Sequence, residues 1–164
     1  MKIKIMPHFG VIVTSKEQAI ENLIFISEPT NPFFYKGSKE AVEKAKNSLV
    51  LLFDDITYPI EKCKMPTKED IEKALSFAED CKGDIVVSCT AGVSRSSAIA
   101  YLIAAKKFGV EKAYDVLNFC SHWPNDLIIS LGAEIFNLPV LNDEIKKYKD
   151  GIRKVTNALY FPER

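Results

Sequence analysis

Four short apolar runs, near Ile3–Met6, Leu23–Ile26, Leu49–Phe53 and Ile85–Val87, are rich in branched residues and bounded by turn formers. Runs of that length and composition read as buried strands. Between them lie stretches with helix-start signals. Ser15 with Gln18 has the spacing of a capping box, as does Thr67 with Asp70 ahead of an apolar periodicity that lasts to about Ala78. Lys39–Lys46 reads as a further helix. Beyond residue 97 the pattern turns wholly helical. Ser97–Lys107 is apolar on nearly every side and is expected to be a buried helix. Val110–Ser121, following Gly109, and Asn125–Asn137, following Pro124, are expected helices. A polar, Lys-rich helix from about Asn142, weak at Gly151, closes the chain. Strands alternating with helices predict an α/β fold, with a central, mostly parallel sheet of about four to five strands and helices on both faces. With no repeat, low-complexity tract or linker, residues 1–164 read as a single domain.

Composition narrows the classes of function. Hydrophobic residues make up 47% and charged residues 27% of the 164 positions, the balance of a soluble globular protein. Basic and acidic residues number 22 each, so the net charge is zero and no basic field is available for nucleic acid or an anionic membrane. An anion must be held by a local device. No apolar run approaches a membrane span, and the N-terminus lacks the order of a signal peptide, so a cytoplasmic location is expected. Cys63, Cys81, Cys89 and Cys120 fall at irregular spacings, with no C-x-x-C pair and no His at zinc-ligand spacing. Neither a disulfide scaffold nor a metal site is expected, and three of the four cysteines are read as small buried hydrophobes.

The stretch that carries chemistry is VVSCTAGVSRSS, Val86 to Ser97. It reads as strand, short loop and buried helix, with Cys89 at the carboxyl end of the strand, where open α/β sheets place their ligands. A loop that wraps into a helix N-terminus can aim successive amides at one anion, here those of Thr90, Ala91, Gly92, Val93, Ser94 and Arg95. Gly92 permits backbone angles that other residues resist. The Cys89 thiol is poised to ionise beside an arginine and a helix N-terminus. Arg95 offers a planar fork for two phosphate oxygens, which Lys cannot supply. Only Arg95, Arg153 and Arg164 are arginine among the 22 basic residues, so this Lys-preferring chain places an Arg where bidentate geometry would matter.

This segment resembles the C-x₅-R-[ST] signature loop of the protein tyrosine phosphatase superfamily, in the form used by dual-specificity phosphatases. WPNDLIISL (Trp123 to Leu131) is similar to the Pro-Asn segment those proteins carry after the signature helices, and LLFDDI (Leu51 to Ile56) to the end of the strand that delivers their general acid. The resemblance spans Leu23 to Leu131, as in a compact bacterial-type tyrosine phosphatase. It implies a cofactor-free hydrolase that cleaves phosphotyrosine, or phosphoserine and phosphothreonine as well, through a phosphocysteine on Cys89. It implies an aspartic acid some thirty-odd residues upstream, Asp55 before Asp54, to protonate the leaving group. It further implies Ser96 as the hydroxyl that bonds the sulfur, and Asn125 as either an accessory group ordering the site or a plain helix cap. Ser88 departs from the family's usual His before the cysteine, which predicts a less depressed thiol pKa and an activity optimum shifted upward in pH. The signature loop has no Lys or second Arg, which favours a singly phosphorylated protein or small phosphomonoester as partner, not nucleic acid or membrane. Two rivals stand beside this reading: a catalytically weak phosphoprotein-binding relative, and rhodanese-like sulfur transfer. His8, ahead of an apolar strand-like run, is given no role, and His122 a surface or packing role.

Overall fold

The computed structural model describes residues 1–160, and the expected single domain extends four residues past them. Strands β1 (Ile3–Pro7), β2 (Asn22–Ser27), β3 (Asn47–Leu52) and β4 (Ile85–Cys89) form one sheet in the order β1-β4-β2-β3, and every pairing is parallel. The two central strands, β2 and β4, are buried along their whole length, which is why LIFI in β2 and IVV in β4 read as unbroken apolar runs. Along β2 the side chains alternate between two cores. Leu23 and Phe25 pack with helices α1 (His8–Glu17) and α2 (Ser38–Lys44), through Val11, Ile12, Ala41 and Val42. Ile24 and Ile26 face the larger core, built on α3 (Lys68–Asp80), α4 (Arg95–Phe108) and α5 (Asp126–Phe136). A 3₁₀ helix (Val110–Val116) and α6 (Val140–Tyr160) complete that side. No helix among the described residues is long and apolar enough to cross a membrane.

This topology makes a crevice at the end of β4. Pro7 is in register with Cys89, yet β1 continues into α1 on one face while β4 continues into α4 on the other. β2, on the other side of β4, leads towards α2 on the α1 face. The chain therefore parts on both sides of Cys89 and leaves the carboxyl end of β4 open between diverging connections.

Several expected elements are corrected. Ser15 does not start a helix; it lies in the last turn of α1, where its hydroxyl donates to the Ile12 carbonyl at 2.9 Å, and Gln18 is the residue that ends the helix. The run after His8 is α1 itself, not a strand. Burial of His8, Val11 and Ile12 at helical spacing overrides the strand preference of its branched residues. After Gly109 the chain makes only the 3₁₀ helix and turns, because Leu117 is extended and its amide already closes on Tyr114. The last helix starts at Val140 and runs through Gly151, whose missing side chain leaves room for the Phe119 ring. The Thr67–Asp70 capping box forms in full, with Asp70 accepting from the Thr67 amide at 3.0 Å. The cysteines also differ from expectation: Cys63 and Cys120 are exposed, Cys81 is half-buried, and Cys89 alone is buried. Cys63 and Cys120 sit in loops outside both cores. Cys81 precedes β4 and so lies a strand's length from Cys89, beyond disulfide reach.

Candidate active site

Cys89 ends β4, and the loop Thr90–Ser94 carries the chain to the first turn of α4. Gly92 has φ of +70°, in the left-handed region, and a Cβ there would stand 2.6 Å from the Pro7 nitrogen. The glycine thus serves both the turn and the close packing of the loop against the end of β1. Ser97 ties the same turn from inside, its hydroxyl donating to the carbonyls of Val93 (2.5 Å) and Ser94 (2.9 Å). Helices α3 and α5 are capped by the side chains of Thr67 and Asn125, but no side chain caps α4, so its first amides are not taken up that way.

The Cys89 sulfur lies 3.1 Å from the Ser96 hydroxyl, and both residues are buried. Arg95 is only 3% exposed although it begins a helix, where positive charge opposes the dipole. Three fixed partners offset that cost. Nη1 donates to the Phe53 carbonyl at 2.9 Å; Nη2 donates to a Glu28 carboxylate oxygen at 2.5 Å and to the Thr90 hydroxyl oxygen at 3.1 Å. The Thr90 hydroxyl in turn donates to Glu28 at 2.9 Å. One guanidinium donor, Nε, is buried with no partner among the described residues. Burial pushes the Glu28 carboxyl up, but the charge and hydrogen bond of Arg95 outweigh it, so the group ends below the usual carboxylate range.

On the opposite flank the two candidate acids separate cleanly. Asp54 belongs to a turn: its amide donates to the Lys64 carbonyl at 2.8 Å and its carboxylate accepts from the Lys64 amide at 2.7 Å. Asp55 is exposed and turns to the signature loop, accepting from the Ser94 hydroxyl and the Asn125 side-chain amide, each at 2.8 Å. Asn125 makes two contacts here. Its carbonyl oxygen caps α5 through the Ile128 amide at 3.1 Å, while its nitrogen holds Asp55. The Trp123–Asn125 segment is pinned to the loop by main-chain bonds from Trp123 to Val93 and from Asn125 to Ser94.

Two residues at this edge escaped the sequence reading. Glu28, one residue past β2, partners Arg95 across 67 positions of chain. The available signal was its place just beyond a buried strand. His8, assigned no role, is buried at the start of α1, stacks on Phe25 with ring centres 3.9 Å apart, and donates from Nε2 to the Ile26 carbonyl at 3.0 Å. Burial pushes its pKa down to about 4; nearby Arg95 also lowers it, against the opposing pull of the Ile26 bond and Glu28. Ser88 is fully buried and its hydroxyl has no partner among the described residues, so it gives the loop no hydrogen bond in place of an imidazole. His122 closes a local turn, with Nδ1 accepting the Asn118 amide at 2.8 Å.

The sequence matches no family model and no curated protein. Solved structures do resemble the fold. The chain aligns with a human tyrosine phosphatase-like serine/threonine/tyrosine-interacting protein at a TM-score of 0.61 and 19% identity, covering 84% of this chain and 93% of that one. Tk-PTP in its active form gives 0.54 at 12% identity, over 86% and 90% of the two chains. PTPMT1 in complex with PI(5)P gives 0.51 at 14% identity, over 91% and 93%. Overlap of at least 84% of each chain, with the parallel sheet and its flanking helices, gives this chain a protein tyrosine phosphatase-like fold.

Proposed function

We infer that this protein is a cysteine-dependent phosphatase that hydrolyses phosphotyrosine in proteins, with phosphoserine and phosphothreonine as further substrates where the residue can reach the thiolate. The observation that carries the reading is Arg95: a buried guanidinium, fixed by Phe53 and Glu28 and bonded to Thr90 next to Cys89, that keeps one buried donor unpaired among the described residues. A buried donor with no protein partner is costly, and a phosphate oxygen is the acceptor that the surrounding chemistry suits.

In the first step the Cys89 thiolate attacks phosphorus, and the S–P bond forms as the bond to the tyrosyl oxygen breaks. Asp55 gives its proton to that departing oxygen. The amides of Thr90–Arg95 and the free edge of Arg95 hold the equatorial oxygens, where charge concentrates in the transition state. In the second step the Asp55 carboxylate takes a proton from water, water attacks phosphorus, and the thiolate leaves. Ser96, bonded to the sulfur, eases that departure. Glu28 touches no reacting atom; it is a positioning residue for Arg95. All the groups used are side chains and amides of the chain, so no metal or cofactor enters these steps.

A loop with no cation besides Arg95 favours a single phosphate over a multiply phosphorylated headgroup, although one structural neighbour was solved with PI(5)P. The alternative, a phosphoprotein-binding relative with weak turnover, draws on Ser88, whose unpartnered hydroxyl leaves the loop without the usual imidazole. Hydrolysis of p-nitrophenyl phosphate separates the two. The phosphatase reading expects turnover that orthovanadate blocks and Cys89→Ser abolishes. Binding of a phosphotyrosyl peptide with no turnover at any pH would establish the alternative.

A further inference from the structure

Beside the signature loop lies a groove of about 300 Å³ that the steps above leave unused. The loop after β3 and the Trp123–Asp126 segment form its walls, and Lys149 of α6 also lines it. Two of its lining residues, Asp55 and Ser94, are bonded to each other at 2.8 Å and belong to the proposed catalytic apparatus. The groove therefore opens from the acid side of the site. A leaving group must lie on that side if Asp55 is to protonate it.

Its surface has a definite character. Tyr58 and Ile60, close together on one wall, are 65% and 41% exposed. Single exposed apolar residues are ordinary, but these two border a groove continuous with the reactive centre. Lys149 does not make the groove an anion site. Its ammonium is 2.7 Å from Asp126, lies 4.9 Å from the centre of the Trp123 ring, and is buried. With Asp126 neutralising Lys149, the lining holds no free cation. Such a groove favours an apolar side chain and gives an acidic one no partner to offset its desolvation. A space of this size takes one or two side chains, not a pair of acyl chains.

We propose, resting on the phosphatase reading, that the Tyr58–Ile60–Trp123 groove is a specificity subsite that receives an apolar side chain next to the phosphorylated residue of a protein substrate. The test compares phosphotyrosyl peptides carrying Leu, Gly or Glu beside the phosphotyrosine, on either side, with p-nitrophenyl phosphate as a substrate lacking any neighbour. In the wild-type protein, kcat/KM for the Leu peptide should exceed that for Gly by about tenfold, with Glu lowest. The exposed double variant Tyr58→Ala/Ile60→Ala should bring Leu and Gly within about twofold of each other and leave p-nitrophenyl phosphate turnover unchanged. Equal rates for all wild-type peptides, or a Leu preference that survives the double substitution, would overturn the proposal. So would faster hydrolysis of a short-chain lipid phosphomonoester than of any peptide. Should the protein hydrolyse none of these, the phosphatase reading fails separately, and calorimetry of Cys89→Ser with the same peptides decides the subsite: selective binding of the Leu peptide supports it, and equal affinities refute it.

Discussion

The two flanks of the signature loop are built on opposite plans. On one, Arg95 is buried and locked to a carboxylate and a main-chain carbonyl, with the neutral, stacked His8 close by. On the other, Asp55 is exposed and held by two neutral donors, Ser94 and Asn125. The difference suits the two tasks that the proposed mechanism assigns. A clamp for a dianion gains from being fixed before the ligand arrives, since it then pays no reorganisation when charge develops. A group that must both give and take a proton in one cycle needs access to water and no permanent opposite charge to hold it ionised.

The contrast breaks most severely at Arg95. Arg95→Lys keeps the charge but loses the fork and the Phe53 bond, and kcat/KM for a phosphotyrosyl peptide should fall by about 10³. A loss below tenfold would mean that charge alone suffices. Asp55→Asn should lower kcat by about 10² on phenyl phosphate with little change in KM, and by much less on an ester whose leaving group needs no proton. Asp54→Asn, which removes only a turn contact to Lys64, should stay within about threefold; the reverse ranking would exchange the two roles. Glu28→Gln should raise KM by about tenfold, because it loosens Arg95 without touching the phosphate. A lowered KM would instead mark Glu28 as a competitor for the guanidinium.

The smallest effect concerns stability. His8 in the folded protein has a pKa lowered to about 4, below the ordinary value of 6.5. Below pH 6.5 the unfolded chain binds a proton that the folded chain does not, so the stability contributed by neutral His8 is full above that pH and is lost as pH falls towards 4. Urea midpoints measured from pH 7 to pH 4.5 should show this decline, and His8→Phe, which keeps the stack on Phe25, should flatten it. An unchanged slope in the variant would assign the decline to other groups.

How much of this was legible in the sequence follows from where each interaction closes. β2 and β4 are buried on both faces and so announce themselves as continuous apolar runs. Cys89, Gly92, Arg95 and Ser96 lie within one loop and one helical turn, so spacing alone brings them together. Glu28 meets Arg95, and His8 comes within reach of its charge, only because a parallel sheet lines up the carboxyl ends of β1, β2 and β4, and strand order is not written in any local pattern. Asp54 and Asp55 are neighbours in the same short segment. Only the path of the following loop, which returns Lys64 to one and faces Ser94 to the other, tells them apart. The α1 run reads as a strand although its helical spacing is present: His8, Val11 and Ile12 fall at i, i+3 and i+4, but the branched run Val11–Val13 mimics a strand.

The central claim is that Cys89 carries the phosphoryl group, and trapping that adduct tests it directly. Acid quenching during turnover of p-nitrophenyl phosphate, followed by mass spectrometry of the tryptic peptides, should find one phosphate on the peptide containing Cys89, and more of it when Asp55→Asn slows the hydrolytic step. Steady release of p-nitrophenol with no phosphate on that peptide, or undiminished release by Cys89→Ser, would contradict the account.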